Sequence, residues 1–171
     1  MDQDEQRALG VEIAQQQGAV ATVQSIADKR QCFADILAAA VAENGLDAVV
    51  SGVLQGPPQW AAEALRHLGD LGPHRNALAT RAAEDPEAAH YVLYHGAEVG
   101  EHRATLAAAT AGDPAWAHMT LREVSDLGEG RDTLLAAVAI DPDTARLALE
   151  QIPDLGSHQE SIAAAAARST R

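Results

Sequence analysis

The stretch DPEAAHYVLYHGAEVGEHRATLAAATAG, Asp85–Gly112, decides the fold, because the chain beyond it repeats its skeleton. Asp-Pro pairs stand at Asp85-Pro86, Asp113-Pro114 and Asp141-Pro142, and 113 − 85 and 141 − 113 both give 28. An aliphatic residue followed by glycine recurs at the same interval, in Leu71-Gly72, Val99-Gly100, Leu127-Gly128 and Leu155-Gly156. Such a period marks a repeat protein, in which one unit cannot bury a core alone and stacking supplies it.

Each unit reads as two helices. Asp85 caps helix A with its side-chain oxygen, and Pro86 takes the first helical position, where a missing N–H costs nothing. Helix A carries apolar residues at Val92, Leu93 and Val99, or at Met119, Leu121, Val124 and Leu127 in the next copy, spaced for one buried face. On this reading Gly100 and Gly128 end it. Helix B follows with Leu106, Ala109 and Ala111, or with Leu134, Leu135, Val138 and Ile140, and a turn of a residue or two leads to the next unit. The copy from Pro57 to Glu84 has proline in place of the capping aspartate, and Pro73 marks the start of its helix B. Helices of about a dozen residues are rods of roughly 18 Å, too short to persist alone in water.

Upstream the period blurs. Expected helices at 29–43 and 46–54 flank Gly45, and others at 4–16 and 19–28 flank Gly18, as two diverged units at a terminus that has a neighbour on one side only. The fold expected is therefore all-α: one domain over 1–171, a right-handed solenoid of about six helix pairs, with 1–56 diverged, 57–168 regular and 169–171 frayed.

Composition narrows the partners. With 25 acidic against 12 basic side chains the formal charge is −13, which disfavours direct contact with nucleic acid or an anionic membrane. Aromatics are 3% of the chain, so the core is built from alanine and leucine. Cys32 is the single cysteine, which points to a reducing cytoplasm, and the acidic start MDQDEQR does not read as a secretory signal. Lys29 is the only lysine, a bias that suggests a GC-rich bacterial genome.

Segments such as PPQWAAEALRHLGDLG and DPDTARLALEQIPDLG resemble the short HEAT-like repeats of the phycobilisome-lyase type, whose units open with Asp-Pro and carry an Ala-x-x-Leu helix ending near Leu-Gly. The resemblance covers about 57–168 and implies a fold, not an activity. HEAT-like arrays serve mostly as scaffolds. The His-Glu pairs of the di-iron deoxyhypusine hydroxylases are missing here, and the basic groove of the HEAT-like alkylpurine DNA glycosylases does not suit this charge.

Polar residues fall into columns one period apart. Asp70, Glu98, Asp126 and Asp154 precede the glycine by two, and Arg75, Arg103 and Arg131 follow it by three, a spacing for pairing within a unit or between neighbours. An arginine ridge for an acidic peptide or phosphate is the alternative use. Histidines share columns too: His67 with His95, His74 with His102 and His158, and His90 with His118. Trp60 and Trp116 occupy one repeat position, while Tyr91 and Tyr94 belong to a single copy.

No motif for catalysis, cofactor or metal is recognisable, so neither a cofactor nor a metal is expected. The leading expectation is a protein or peptide partner held by a scaffold or adaptor whose helix-B residues line a concave face, with terminal faces able to stack into a homodimer. The candidate binding residues are Tyr91, Tyr94, His95, His102, Arg75, Arg103 and Arg131. Two alternatives stand beside it: an acidic mimic of a polyanion that inhibits a nucleic-acid-binding protein, and a small-molecule or catalytic pocket in the central repeat.

Overall fold

The computed structural model describes residues 33–96 and 99–169. The expected helices over 4–16 and 19–28, Gly18, Lys29, Cys32 and Glu98 lie outside them. The described residues form ten α-helices and no strand. They are α1 (Phe33–Asn44), α2 (Leu46–Gln55), α3 (Pro58–His67), α4 (His74–Ala82), α5 (Pro86–Tyr94), α6 (Arg103–Thr110), α7 (Pro114–Glu123), α8 (Gly130–Val138), α9 (Pro142–Gln151) and α10 (Gln159–Ala166). Short 3-10 turns at Gly100–His102 and Gly156–His158 lead into α6 and α10. None of these helices is long and apolar enough to cross a membrane.

The chain divides into two compact units, Met1–Ala82 and Ala83–Arg171. In the first, α3 and α4 form a hairpin, α1 packs on α3 and α2 packs on α4. Trp60 lies over Gly56, so close that a Cβ there would fall 1.9 Å from its ring. In the second, the hairpins α5–α6, α7–α8 and α9–α10 stack A helix on A helix and, for the first two, B on B. Burial follows the same rule in both units. Leu78, Leu106, Leu134 and Ile162 occupy one column of helix B and are all fully buried.

The capping reading holds in detail. Asp85 Oδ1 accepts from Ala88 N at 2.9 Å, Asp113 Oδ1 from Ala115 N at 2.8 Å, and Asp141 Oδ1 from Thr144 N at 2.8 Å and Thr144 Oγ1 at 2.7 Å. Each aspartate is extended and a proline follows it at the first helical position.

Three expectations need correction. Helix A does not run to the glycine: it ends at His67, Tyr94, Glu123 or Gln151, and the aliphatic residue of the pair is a buried anchor beyond the helix. The glycine after it adopts a left-handed φ, 45° at Gly72, 47° at Gly100, 51° at Gly128 and 50° at Gly156, a geometry that any Cβ would strain. Ile140 follows the end of α8 on the turn to α9 and is 72% exposed, so it is not part of the helix-B face. Ser169 is engaged rather than frayed, its hydroxyl donating to the Asp143 carboxylate.

Candidate functional site

The polar columns separate into braces and a residual cluster. Arg103 Nη1 makes an ion pair with Asp126 Oδ2 at 3.0 Å and also donates to the Asp126 carbonyl, and Arg131 Nη2 donates to the Asp154 carbonyl at 2.6 Å. Each arginine thus reaches forward to the inter-helix loop of the next repeat instead of pairing within its own. Arg75, in the same column of the first unit, is likewise not a free cation. Arg103 and Arg131 are each held against the next repeat through one guanidinium nitrogen, so an anion-binding ridge would have to share them with these braces.

The histidine column works in the opposite direction. His74 Nε2 lies 2.7 Å from Asp47 Oδ1, and His158 Nε2 lies 3.7 Å from Asp132 Oδ1, each reaching back to the first turn of the preceding helix B. The fourth member of that column is Gly130, where a Cβ would meet the Ala107 Cβ at 2.5 Å. Glycine there lets α8 close onto α6. His67 pairs within its own helix with Glu63 at 3.1 Å, and His102 sits on the 3-10 turn before α6.

What remains is an aromatic group at the C-terminal end of α5. His90 touches three rings, with centroids at 5.6 Å to Tyr91, 5.9 Å to Tyr94 and 5.2 Å to Trp116. Tyr91 stacks on His95 at 6.1 Å, Tyr94 meets His95 edge-on at 5.0 Å, and Tyr91 approaches Trp116 at 6.2 Å. Tyr91 and Tyr94, 42% and 49% exposed, form its outer surface together with His95. His90 is 2% exposed and forms its floor. The structure thus brings Tyr91, Tyr94 and His95 together beside His90, as their spacing in the sequence suggests, and adds Trp116, which the sequence offered only as a shared column.

Hydrogen bonding fixes the floor. Thr120 Oγ1 donates to the Trp116 carbonyl at 2.8 Å, so its lone pairs accept from His90 Nδ1–H at 2.8 Å. Neutral His90 then carries its lone pair on Nε2, which lies 3.7 Å from Glu123 Oε2. Burial holds the His90 pKa below its ordinary value; Glu123 opposes this, while His95 and Arg122 add to it. Arg122 in turn is occupied by the Glu123 carboxylate and by Gln151 Oε1 at 3.4 Å.

The group is private to this copy for a reason visible in the column beside it. The residue following the end of helix A is extended at Leu68, Val124 and Ile152, with the last two buried, but the same position here is Gly96, with φ 66°. An anchor is missing there. Consequently α5 stops at Tyr94, one position short of its counterparts, and His95 becomes its C-cap. The substitution was readable in the sequence once the columns were aligned.

No group of three or more His, Cys, Asp or Glu side chains able to hold a metal is present among the described residues. A separate open groove of about 530 Å³ runs over Gly156, Ser157, Gln159, Glu160 and Ala163, with Glu160 its one carboxylate. Comparison with protein-family models, with curated proteins and with solved structures finds no match.

Proposed function

We propose that this protein is a partner-binding scaffold or adaptor, a short HEAT-like solenoid of about six helix pairs, whose contact face is the tyrosine-histidine group at the end of α5. One observation carries the reading: two of the chain's two tyrosines are half exposed side by side over a buried histidine and a tryptophan, in a protein that is 3% aromatic. Tyrosine joins large contact area to a hydrogen-bonding tip and loses little rotamer freedom on binding, which is why such residues dominate interface energetics. The arginine columns favour this choice too, since Arg103 and Arg131 brace neighbouring repeats instead of projecting as free donors. On this reading the contact face centres on α5, an A helix, rather than on the helix-B side.

The test is retention of native partners by the full chain and by the Tyr91→Ala/Tyr94→Ala double variant. A protein retained saturably by the parent chain and lost by the variant supports the reading. Equal retention by both, or no saturable partner, overturns it.

A further inference from the structure

We propose that the occupant of the tyrosine face is a cationic side chain, an arginine or lysine presented by a basic peptide segment of the partner; this rests on the reading of that face as a partner-binding surface. Three independent features of the patch point to positive charge. First, Tyr91 and Tyr94 are half-exposed aromatic rings, and the negative quadrupole of a tyrosine face attracts a guanidinium or ammonium group lying over it. Tyr91, stacked on His95 with only 7° between the ring planes, and Tyr94, edge-on to that imidazole, present this surface together.

Second, the patch sits at the negative pole of a helix. Tyr94 is the last residue of α5 and His95 its C-cap, and the last turn contains no basic side chain to offset the carbonyl end of the macrodipole. Three of the ten described helices fill that role within the chain, with Arg66 and His67 in α3, Arg81 in α4 and Arg122 in α7. In the column of Tyr94 itself the two adjacent copies carry Arg66 and Arg122, and the last copy carries Glu150. The tyrosine thus stands where two sister repeats keep their own cation, and a guest arginine would restore it.

Third, the surrounding charge is acidic. Glu87 lies one turn before Tyr91 on the same face of α5, and Glu123 projects from α7 beside His90 with its partner Arg122. Over the whole chain the charge of −13 draws basic segments in and keeps acidic ones away. Neutral His90 beneath the rings adds no positive charge of its own, and the nearby Arg122 is paired with the Glu123 carboxylate.

The experiment uses the full chain and a labelled Gly-Ser peptide carrying four arginines, followed by fluorescence anisotropy at about 0.15 M salt, where diffuse attraction is screened. Saturable binding is expected, with no binding of the same peptide bearing glutamates. The Tyr91→Leu/Tyr94→Leu variant keeps bulk and apolar area but removes the quadrupole, and should bind about tenfold more weakly, while Tyr91→Phe/Tyr94→Phe retains most of the affinity. The far-ultraviolet signal of each variant confirms folding, since both side chains are half exposed. Equal affinity of the leucine variant and the parent chain would overturn the proposal, as would equal binding of the acidic peptide. If native partners are captured through Tyr91 and Tyr94 while the arginine peptide fails to bind, the partner face stands and its cationic occupant falls.

Discussion

His90 and His118 occupy one repeat position and are both buried, yet they stand on different footings. His90 has Thr120 for its Nδ1 and Glu123 near its Nε2. At the corresponding positions one period on, His118 is offered Ala148 and Gln151, and Gln151 is taken by Arg122. His118 Nε2 is left buried without a hydrogen-bond partner among the described residues. An unpartnered buried polar atom costs more than a satisfied one contributes, so the same substitution should act with opposite sign at the two sites. His118→Leu is expected to raise the unfolding free energy by about 1 kcal/mol and His90→Leu to lower it by about 1 kcal/mol. Urea denaturation of the two variants beside the parent chain measures both.

Both histidines also predict a pH dependence. Burial lowers each pKa; Arg122 lowers it further and Glu123 raises it, and at His90 the neighbouring His95 lowers it as well. Between the ordinary histidine value of about 6.5 and the lower folded values, the unfolded chain binds protons that the folded chain refuses. Stability is therefore full above that window, falls as the pH drops through it, and stops falling on this account below the folded values. Denaturation midpoints followed from neutral pH downward should show the decline, and the His90→Leu/His118→Leu double variant should flatten it. Asp141 acts in a lower window. Hydrogen bonds from Thr144 hold its carboxyl below the usual range, so its contribution persists through neutral pH and is lost as pH falls through that lowered value.

At the scale of elements, the Asp-Pro entry to helix A was legible residue by residue, because a cap is a local device set by one side chain and the next backbone N–H groups. Asp85→Ala and Asp113→Ala should each cost about 1 kcal/mol, read as a lower thermal midpoint. The end of helix A was not legible in the same way. Val99, Leu127 and Leu155 fit a helical apolar spacing, and periodicity alone cannot tell a buried residue within a helix from an anchor just after it. The left-handed glycine that follows resolves this only when its φ is seen. Gly130 shows the same limit, since nothing local marks it as the point where α8 closes on Ala107. Gly130→Ala improves helix propensity yet should destabilise by about 1–2 kcal/mol, because overpacking outweighs the propensity gain.

At the scale of the whole molecule, repetition both reveals and conceals. The period exposed the all-α architecture and made the arginine and histidine columns conspicuous, but Arg103, Arg131, His74 and His158 are spent on bracing one repeat against the next. Tyr91 and Tyr94 could be singled out from the sequence because they do not repeat, with His90 and His95 beside them; Trp116 joined the site only through three-dimensional proximity, and the role of Gly96 as a lost anchor only through its φ. A binding face confined to one copy should be silent at the equivalent positions of the others. The most direct measurement is photocrosslinking in native extract from a photoreactive residue placed at Tyr91, compared with the same residue at Glu63 and Leu147, its counterparts one and two periods away. Specific adducts from position 91 alone are the predicted result; the same adducts from all three positions, or none from 91, would contradict a private site at the end of α5.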